Sequence, residues 1–301
     1  AVHAFMTLVS YGRNIETLYE VPRDMPVEFP VDREHVREEF LVMRGKEGEV
    51  FSESASKRLL EAYGIPVAMP RLARSADEAV ETARALSAAA VLKIASPQIT
   101  HKTDAGGVIL DVRGEDAARA AFDALLAGAR RAGAKRIDGV TVQAMVREEG
   151  SIELILGMRR DPVFGPVILV GLGGITAEIL RDTSLGFPPL NERLARRMLE
   201  ALRSWPLLEG YRGRPAVDLE RLIEILIRFS YLASDFPEIR ELDVNPLLVW
   251  PRGACALDAR LLVDLDAVRD PARPYAHLAL RPYPDEYVRP AVLSDGSTVT
   301  M

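Results

Sequence analysis

Apolar residues in the first half of the chain alternate between helical and strand-like spacing. Apolar positions three and four apart indicate amphipathic helices, whereas short β-branched runs bounded by glycine or proline indicate strands. The predicted helices cover residues 52–63, 77–90 and 116–132, and the predicted strands cover 67–72, 91–95, 107–112 and 139–146. Helices that alternate with short strands predict an α/β or α+β lobe over residues 46–146.

The pattern changes in the second half of the chain, where apolar runs precede longer helical segments. We predict strands at 152–158 and 166–171, a helical start at 176–180, and helices over 192–204 and 219–234. Alternating residues up to Trp250, a turn at 251–253 and a short run at 255–257 predict a closing β-hairpin. The chain is therefore predicted to be α+β, with its second lobe over residues 147–266.

Both flanks of these lobes differ from them in composition. Residues 1–45 are predicted to be the tail of a preceding domain and a connector, because helical spacing begins there without a capping residue and prolines follow. Residues 267–301 are rich in Pro, Arg and Tyr, and we expect them to be a linker towards a following domain.

A net charge of −6 and a pI near 5.5 restrict the partners of this chain. Nucleic acids and anionic membranes need concentrated positive charge, so neither is expected as a partner. The single cysteine, Cys255, excludes an internal disulfide framework, and no apolar run reaches the ~18 residues of a membrane span. These features predict a globular, cytoplasmic protein in which any phosphate site is local.

The closing hairpin carries the first candidate chemistry. Alternation along a strand places Glu241, Asp243 and Asn245 on one face. A turn at 251–253 would set Asn245 opposite or next to Asp258. Carboxylate and amide oxygens without Cys or His form a ligand set suited to Mg²⁺. The alternative is an edge hairpin whose acidic side chains are simply solvated.

A lysine and two loops add candidate phosphate ligands. Lys93 lies in an apolar strand, where a buried ammonium group needs an anion, although a lysine that reaches solvent from a strand end is the alternative. The polar loop 96–107 can aim backbone N–H groups at phosphates. Gly173 and Gly174 form a second loop, for which a tight strand-to-helix turn is the alternative. Together with the hairpin, these segments predict an ATP·Mg²⁺ site between two lobes.

His101 is the one histidine inside these segments. A neutral imidazole beside phosphates can act as a nucleophile and carry a phosphoryl group. It can equally well hydrogen-bond a phosphate or the backbone. The residues alone leave both roles open.

Five motifs, in order, resemble the ATP-grasp domain of ADP-forming (NDP-forming) acyl-CoA synthetases, over about residues 46–266. The motifs are LEAYGIP at 60–66, LKI at 92–94 with HKTDAGGV at 101–108, RDPVFGP at 160–166, GLGG at 171–174 and ELDVNPL at 241–247. The resemblance implies an ATP-grasp fold, in which two lobes hold ATP or ADP between them.

The resemblance also implies a role for individual residues. Those implied at the nucleotide are, in chain order, Lys93, Thr100, Lys102, Gln143, Met145, Val146, Glu153, Gly173 and Gly174. The first three would contact phosphates, the next three would lie against adenine, and Glu153 would lie near the ribose or the triphosphate. Asn245 and Asp258, with Asp243 nearby, would hold Mg²⁺. His101 would be the catalytic residue, as a second phosphoryl carrier.

The family resemblance implies interconversion of acyl-CoA, ADP and phosphate with acid, CoA and ATP through phosphohistidine. CoA or acyl-CoA would bind to a CoA-binding domain upstream of Ala1. The chain alone would therefore not turn over acyl-CoA. The flanks, with GYRGRP at 210–215, resemble proteins in which the module precedes a GNAT domain. They imply the alternative of a regulatory module that senses nucleotide or acyl-CoA for a protein lysine acetyltransferase. A carboxylate–amine ligase is a third reading, without any acceptor-site signal.

Overall fold

The computed structural model of the protein describes residues 31–47, 49–86, 88–99, 106–174 and 181–264, with two short strands at 291–292 and 298–299. Its helices are α1 (Arg33–Glu47), α2 (Glu53–Ala62), α3 (Ala76–Arg84), α4 (Glu115–Arg131), α5 (Glu192–Glu200), α6 (Trp205–Leu208) and α7 (Leu219–Asp235). Its strands are β1 (Arg71–Ala73), β2 (Ala90–Ala95), β3 (Val108–Val112), β4 (Gly139–Ala144), β5 (Ile152–Asp161), β6 (Gly165–Leu172), β7 (Thr183–Gly186), β8 (Ile239–Trp250), β9 (Gly253–Ala256), β10 (Ala259–Val263), β11 (Ala291–Val292) and β12 (Thr298–Val299).

Two antiparallel sheets organise the described part of the chain. The small sheet has the strand order β1-β4-β2-β3. The large sheet runs β10-β8-β5-β6-β7, with β9 paired to β8. Antiparallel sheets with segregated helices confirm the predicted α+β class.

Each sheet has a hydrophobic core of its own. Helices α3 and α4 cover the small sheet, where Leu92 and Ile94 of β2 pack with Phe122. Helices α5 and α7 cover one face of the large sheet, where Leu154 of β5 packs with Leu226 of α7. We call the unit built on the small sheet, residues 71–144, the small lobe and the unit built on the large sheet the large lobe.

Residues 33–40, which we expected to be part of a connector, form the first half of α1. Val36 and Phe40 lie one helical turn apart and are buried in the large-lobe core. The Phe40 ring centroid is 4.7 Å from that of Phe236. An apolar stripe at helical spacing explains the difference, since the prolines of this region all precede the helix.

Helix α2 belongs to the large lobe, although its sequence position placed it in the predicted first lobe. Leu59 and Leu60 are buried in the large-lobe core. The chain stays on that lobe as far as Ala68, whose N–H donates to the carbonyl of Ala256 at 3.0 Å. The large lobe therefore begins before the small lobe in the sequence, and the chain enters the small lobe only after Ala68.

Several helices and strands begin or end at residues other than those predicted. The strand expected at 67–72 shrinks to β1, which begins after Pro70, a residue that has no N–H for a ladder hydrogen bond. Val67 forms only an isolated bridge with Ala256. The helix expected at 77–90 ends at Arg84, and the one expected at 192–204 ends at Glu200, before the separate turn of α6. The expected helical start at 176–180 lies outside the described residues.

None of the helices in the described ranges is both long enough and apolar enough to cross a membrane.

Asn191 caps α5, because its Oδ1 accepts a hydrogen bond from the N–H of Leu194 at 2.9 Å. Replacing Asn191 with alanine removes this acceptor and should lower the free energy of unfolding by about 1 kcal/mol. Urea denaturation followed by circular dichroism measures the change, and Asn191→Asp, which keeps an acceptor, is the matched control. An Asn191→Ala midpoint equal to that of the unaltered chain would contradict the capping role.

Candidate functional site

The two lobes meet through polar side chains. In β2, alternation buries Leu92 and Ile94 in the small-lobe core and turns Lys93 to the opposite face. Gln143 of the neighbouring β4 shares that face, since it pairs with Val91. Lys93 and Gln143 therefore both point towards the large lobe.

Lys93 contacts the large lobe through three acceptors. Its Nζ lies 2.8 Å from Glu53 Oε1, 2.7 Å from the carbonyl oxygen of Leu257 and 3.2 Å from Asp258 Oδ2. Its side chain is only 7% exposed, so the ammonium group is taken out of water by these contacts. Lys93 is therefore a buried lysine whose anionic partners here are carboxylates of the protein itself, and its contact with phosphates stays a prediction.

A second lysine, Lys57 of α2, lies beside Lys93. Its Nζ donates to Glu53 Oε1 at 2.8 Å, to Gln143 Oε1 at 2.9 Å and to the carbonyl oxygens of Ala68 and Leu257 at 2.8 and 2.7 Å. Burial lowers the pKa of Lys57 to about 8, helped by the charge of Lys93 and opposed by that of Glu53.

We call Glu53, Lys57, Lys93, Gln143 and Asp258 the interlobe cluster. Its members come from both lobes, and the backbone carbonyl of Leu257 joins them, because it accepts hydrogen bonds from Lys57, Lys93 and the Gln143 amide. Two ammonium groups and two carboxylates meet here with little access to water. Such buried charges are costly unless they are paired, which marks the cluster as a functional candidate.

The hairpin of the large lobe sets the acidic residues in place. Its turn lies at residues 251–252, since Trp250 pairs with Gly253. The pairs Leu247↔Ala256 and Val244↔Ala259 share one register, which puts Asn245 opposite Asp258. The predicted neighbourhood of these two residues therefore agrees with the register.

Asp243 lies on the same strand face, opposite Arg260 in β10. Desolvation raises the pKa of the Asp243 carboxyl; the positive charge of Arg260 opposes this rise, and the negative charges of Asp258 and Glu241 add to it. In the described ranges, no three His, Cys, Asp or Glu side chains come together as a metal site. One carboxylate and one amide oxygen, with phosphate oxygens supplying the rest, fit the way Mg²⁺ is commonly held beside nucleotides.

Glu153 and the two loop glycines come together as a further part of the site. The Gly173 N–H donates to the carbonyl oxygen of Glu153 at 2.7 Å. A Cβ on Gly174 would lie 3.1 Å from Glu153 Oε2, and Gly174 has a φ of +75°. A side chain at Gly174 would therefore be strained and would crowd the Glu153 carboxylate.

Of the remaining predicted residues, three lie in the described part of the chain and three lie outside it. The Gln143 side chain is buried in the interlobe cluster, whereas Met145 and Val146 are half-buried just beyond β4, where the chain leaves the small lobe. Thr100, His101 and Lys102 lie outside the described residues.

Glu53 and Lys57 are the site residues that the sequence reasoning missed. Their signal was present, because they lie four residues apart on the same helical face as Leu60, which is buried. Charged residues inside the buried stripe of a helix are rare unless they are paired. A search for such pairs would have found them.

Comparisons with known proteins show which proteins this chain is similar to. The sequence profile of the ATP-grasp domain family matches residues 43–263. The chain is 38% identical over 263 residues to the acetate-CoA ligase (ADP-forming) I of Archaeoglobus fulgidus, covering 87% of this chain but only 38% of that protein. It is 37% identical to the subunit beta of acetate-CoA ligase (ADP-forming) I of Pyrococcus furiosus, covering 77% of this chain and 100% of that subunit.

A solved structure of acetyl-coenzyme A synthetase 1 from Ca. Korarchaeum cryptofilum matches with a TM-score of 0.66 and 35% identity, covering 76% of this chain and 99% of that chain. That protein was solved with coenzyme A and Mg-AMPPCP, its phosphohistidine segment pointing towards the nucleotide-binding site. These relatives are CoA ligases and synthetases, and they give no support to the expected GNAT fusion.

Proposed function

Because the chain belongs to the ATP-grasp family, as the domain found in ADP-forming acetyl-CoA synthetase-like proteins, we propose that it binds ATP or ADP with Mg²⁺ between its lobes. The observation that carries the proposal is the meeting of Lys93 and Asp258 from opposite lobes, 3.2 Å apart. Lys93 supplies a cation for the phosphates, and Asp258 supplies a carboxylate for the metal.

The chemistry of the neighbouring groups supports the same site. Asn245, opposite Asp258, adds an amide oxygen to the carboxylate, and Asp243 lies on the same strand face. These residues would hold Mg²⁺, which neutralises phosphate charge when it is bound. Gly173 and Gly174 lie against Glu153, so that a side chain at either glycine would crowd Glu153 rather than leave it in place beside the loop.

The wider reaction that we propose is the ADP-forming ligation of a carboxylic acid to CoA. The chain would supply the nucleotide half of this reaction, and a CoA-binding part, as in the larger relatives, would supply the other half. Lys93 would orient the phosphates of ATP. An imidazole nitrogen of His101 would attack the γ-phosphorus in line, so that the bond to the β-phosphate oxygen breaks, ADP leaves and the phosphoryl group stays on His101 until the CoA-binding part takes it. The names of the relatives support acetate or a related acid as the substrate class.

Replacing Asp258 with asparagine tests the metal part of the proposal. The change removes a charge with little change of shape, so ADP binding in the presence of Mg²⁺ should fall more than binding in its absence. Titration calorimetry with and without Mg²⁺ measures both affinities. Asp123→Asn, which removes a charge from the exposed side of α4, is the matched control. Equal losses under the two conditions would remove Asp258 as a metal ligand.

A further inference from the structure

One carboxylate oxygen of the interlobe cluster is shared by two lysines. The Nζ atoms of Lys57 and Lys93 each lie 2.8 Å from Glu53 Oε1. Two ammonium groups on one oxygen repel each other, and this repulsion is strong where water is excluded. Glu53 therefore holds two cations at once, and the departure of one of them would relieve the repulsion.

The two lysines are not equally free to leave. Lys57 has a side chain with 0% exposure and four acceptors around an ammonium group that has three N–H donors. Three of these acceptors lie in the large lobe, which also carries Lys57 itself. Lys57 is thus fixed in place.

Lys93 is the member that can move. It comes from the small lobe, and its longest contact, 3.2 Å, is to the Asp258 carboxylate. The Asp258 side chain is 27% exposed, so this end of the cluster opens towards solvent. A phosphate that approaches from the open side would meet Lys93 before it meets Lys57.

We propose that Glu53 and Lys57 are a positioning pair, which holds Lys93 in the empty site and releases it to the nucleotide phosphates. This inference rests on the proposed function. When Lys93 moves to the phosphates, Lys57 stays on Glu53, so the buried carboxylate keeps an ammonium partner. Asp258 is freed from Lys93 by the same movement and becomes available to Mg²⁺.

Two single substitutions should change nucleotide affinity in opposite directions. Lys57→Met removes the cation that stays behind, so Lys93 is held more strongly by Glu53, and ADP·Mg²⁺ binding should weaken about tenfold. Glu53→Gln removes the charge that competes with phosphate for Lys93, and binding should tighten by about two- to fivefold. If the pair were merely structural, breaking it from either side would weaken binding.

Titration calorimetry of the 301-residue chain with ADP·Mg²⁺ measures these affinities, after circular dichroism has shown that each variant is folded. Lys135→Met, which removes an exposed lysine from the small lobe, is the control for loss of charge. The double variant Lys57→Met/Glu53→Gln should bind at least as tightly as the unaltered chain, and it keeps the test decisive if Lys57→Met alone does not fold. Losses in both single variants, or a double variant weaker than the unaltered chain, would overturn the inference.

The same titrations separate this inference from the proposed function. If the unaltered chain binds no ADP, the proposed function fails. If the unaltered chain binds ADP and Lys93→Ala weakens binding, while Lys57→Met and Glu53→Gln shift the affinity in the same direction, only the positioning pair fails.

Discussion

Replacing Lys93 with alanine should weaken binding of ATP or ADP about ten- to a hundredfold, the effect of losing a charge-assisted contact worth about 1.5–3 kcal/mol. Lys93 is the cation of the cluster that is next to Asp258 on the open side. Its removal takes away the ammonium group that we assign to the phosphates, while Lys57 keeps its own contact with Glu53.

Titration calorimetry with ADP·Mg²⁺ measures this effect. Lys135→Ala is the matched control, because Lys135 is an exposed lysine of the same lobe. Unchanged affinity in the Lys93→Ala protein, with the fold intact, would remove Lys93 from the nucleotide site.

Replacing His101 with alanine should abolish phosphorylation of the chain. If His101 carries the phosphoryl group, labelled ATP should leave acid-labile, base-stable phosphate on a protein that joins this chain to a CoA-binding part. His101 lies outside the described residues, so this prediction rests on the family resemblance.

The labelling experiment compares the unaltered protein with His101→Ala and with His35→Ala, which removes an exposed histidine of α1. Base-stable label in the unaltered protein and the His35→Ala variant alone would support the carrier role. Equal label in all three proteins would exclude His101 as the carrier. No label in any of them, under conditions in which nucleotide binds, would favour a nucleotide-sensing module.

The register of the closing hairpin was predictable from local rules. Alternation fixes which residues of β8 share a face, and the short turn at 251–252 fixes the register that sets Asn245 opposite Asp258. Glu153 and the Gly173-Gly174 loop were predicted separately, and only the pairing of β5 with β6 brings them together. Their proximity depends on tertiary structure that spacing alone does not contain.

The interlobe cluster was predictable only in part. Lys93 was recognisable as a charge inside an apolar strand, but its partners Glu53 and Asp258 lie 40 and 165 residues away in the sequence. Local periodicity cannot show that α2 packs on the large lobe, because its apolar stripe would fit either core. For the same reason, the predicted first lobe, residues 46–146, wrongly included α2.

A crystal structure of the chain with Mg²⁺ and a non-hydrolysable ATP analogue tests the central claim most directly. The account predicts the analogue between the two lobes, with Lys93 Nζ within hydrogen-bond distance of a phosphate oxygen and released from Asp258. It also predicts Asn245 and Asp258 oxygens at about 2.1 Å from Mg²⁺. An analogue bound elsewhere, or one bound between the lobes while Lys93 stays on Glu53 and Asp258, would contradict the account.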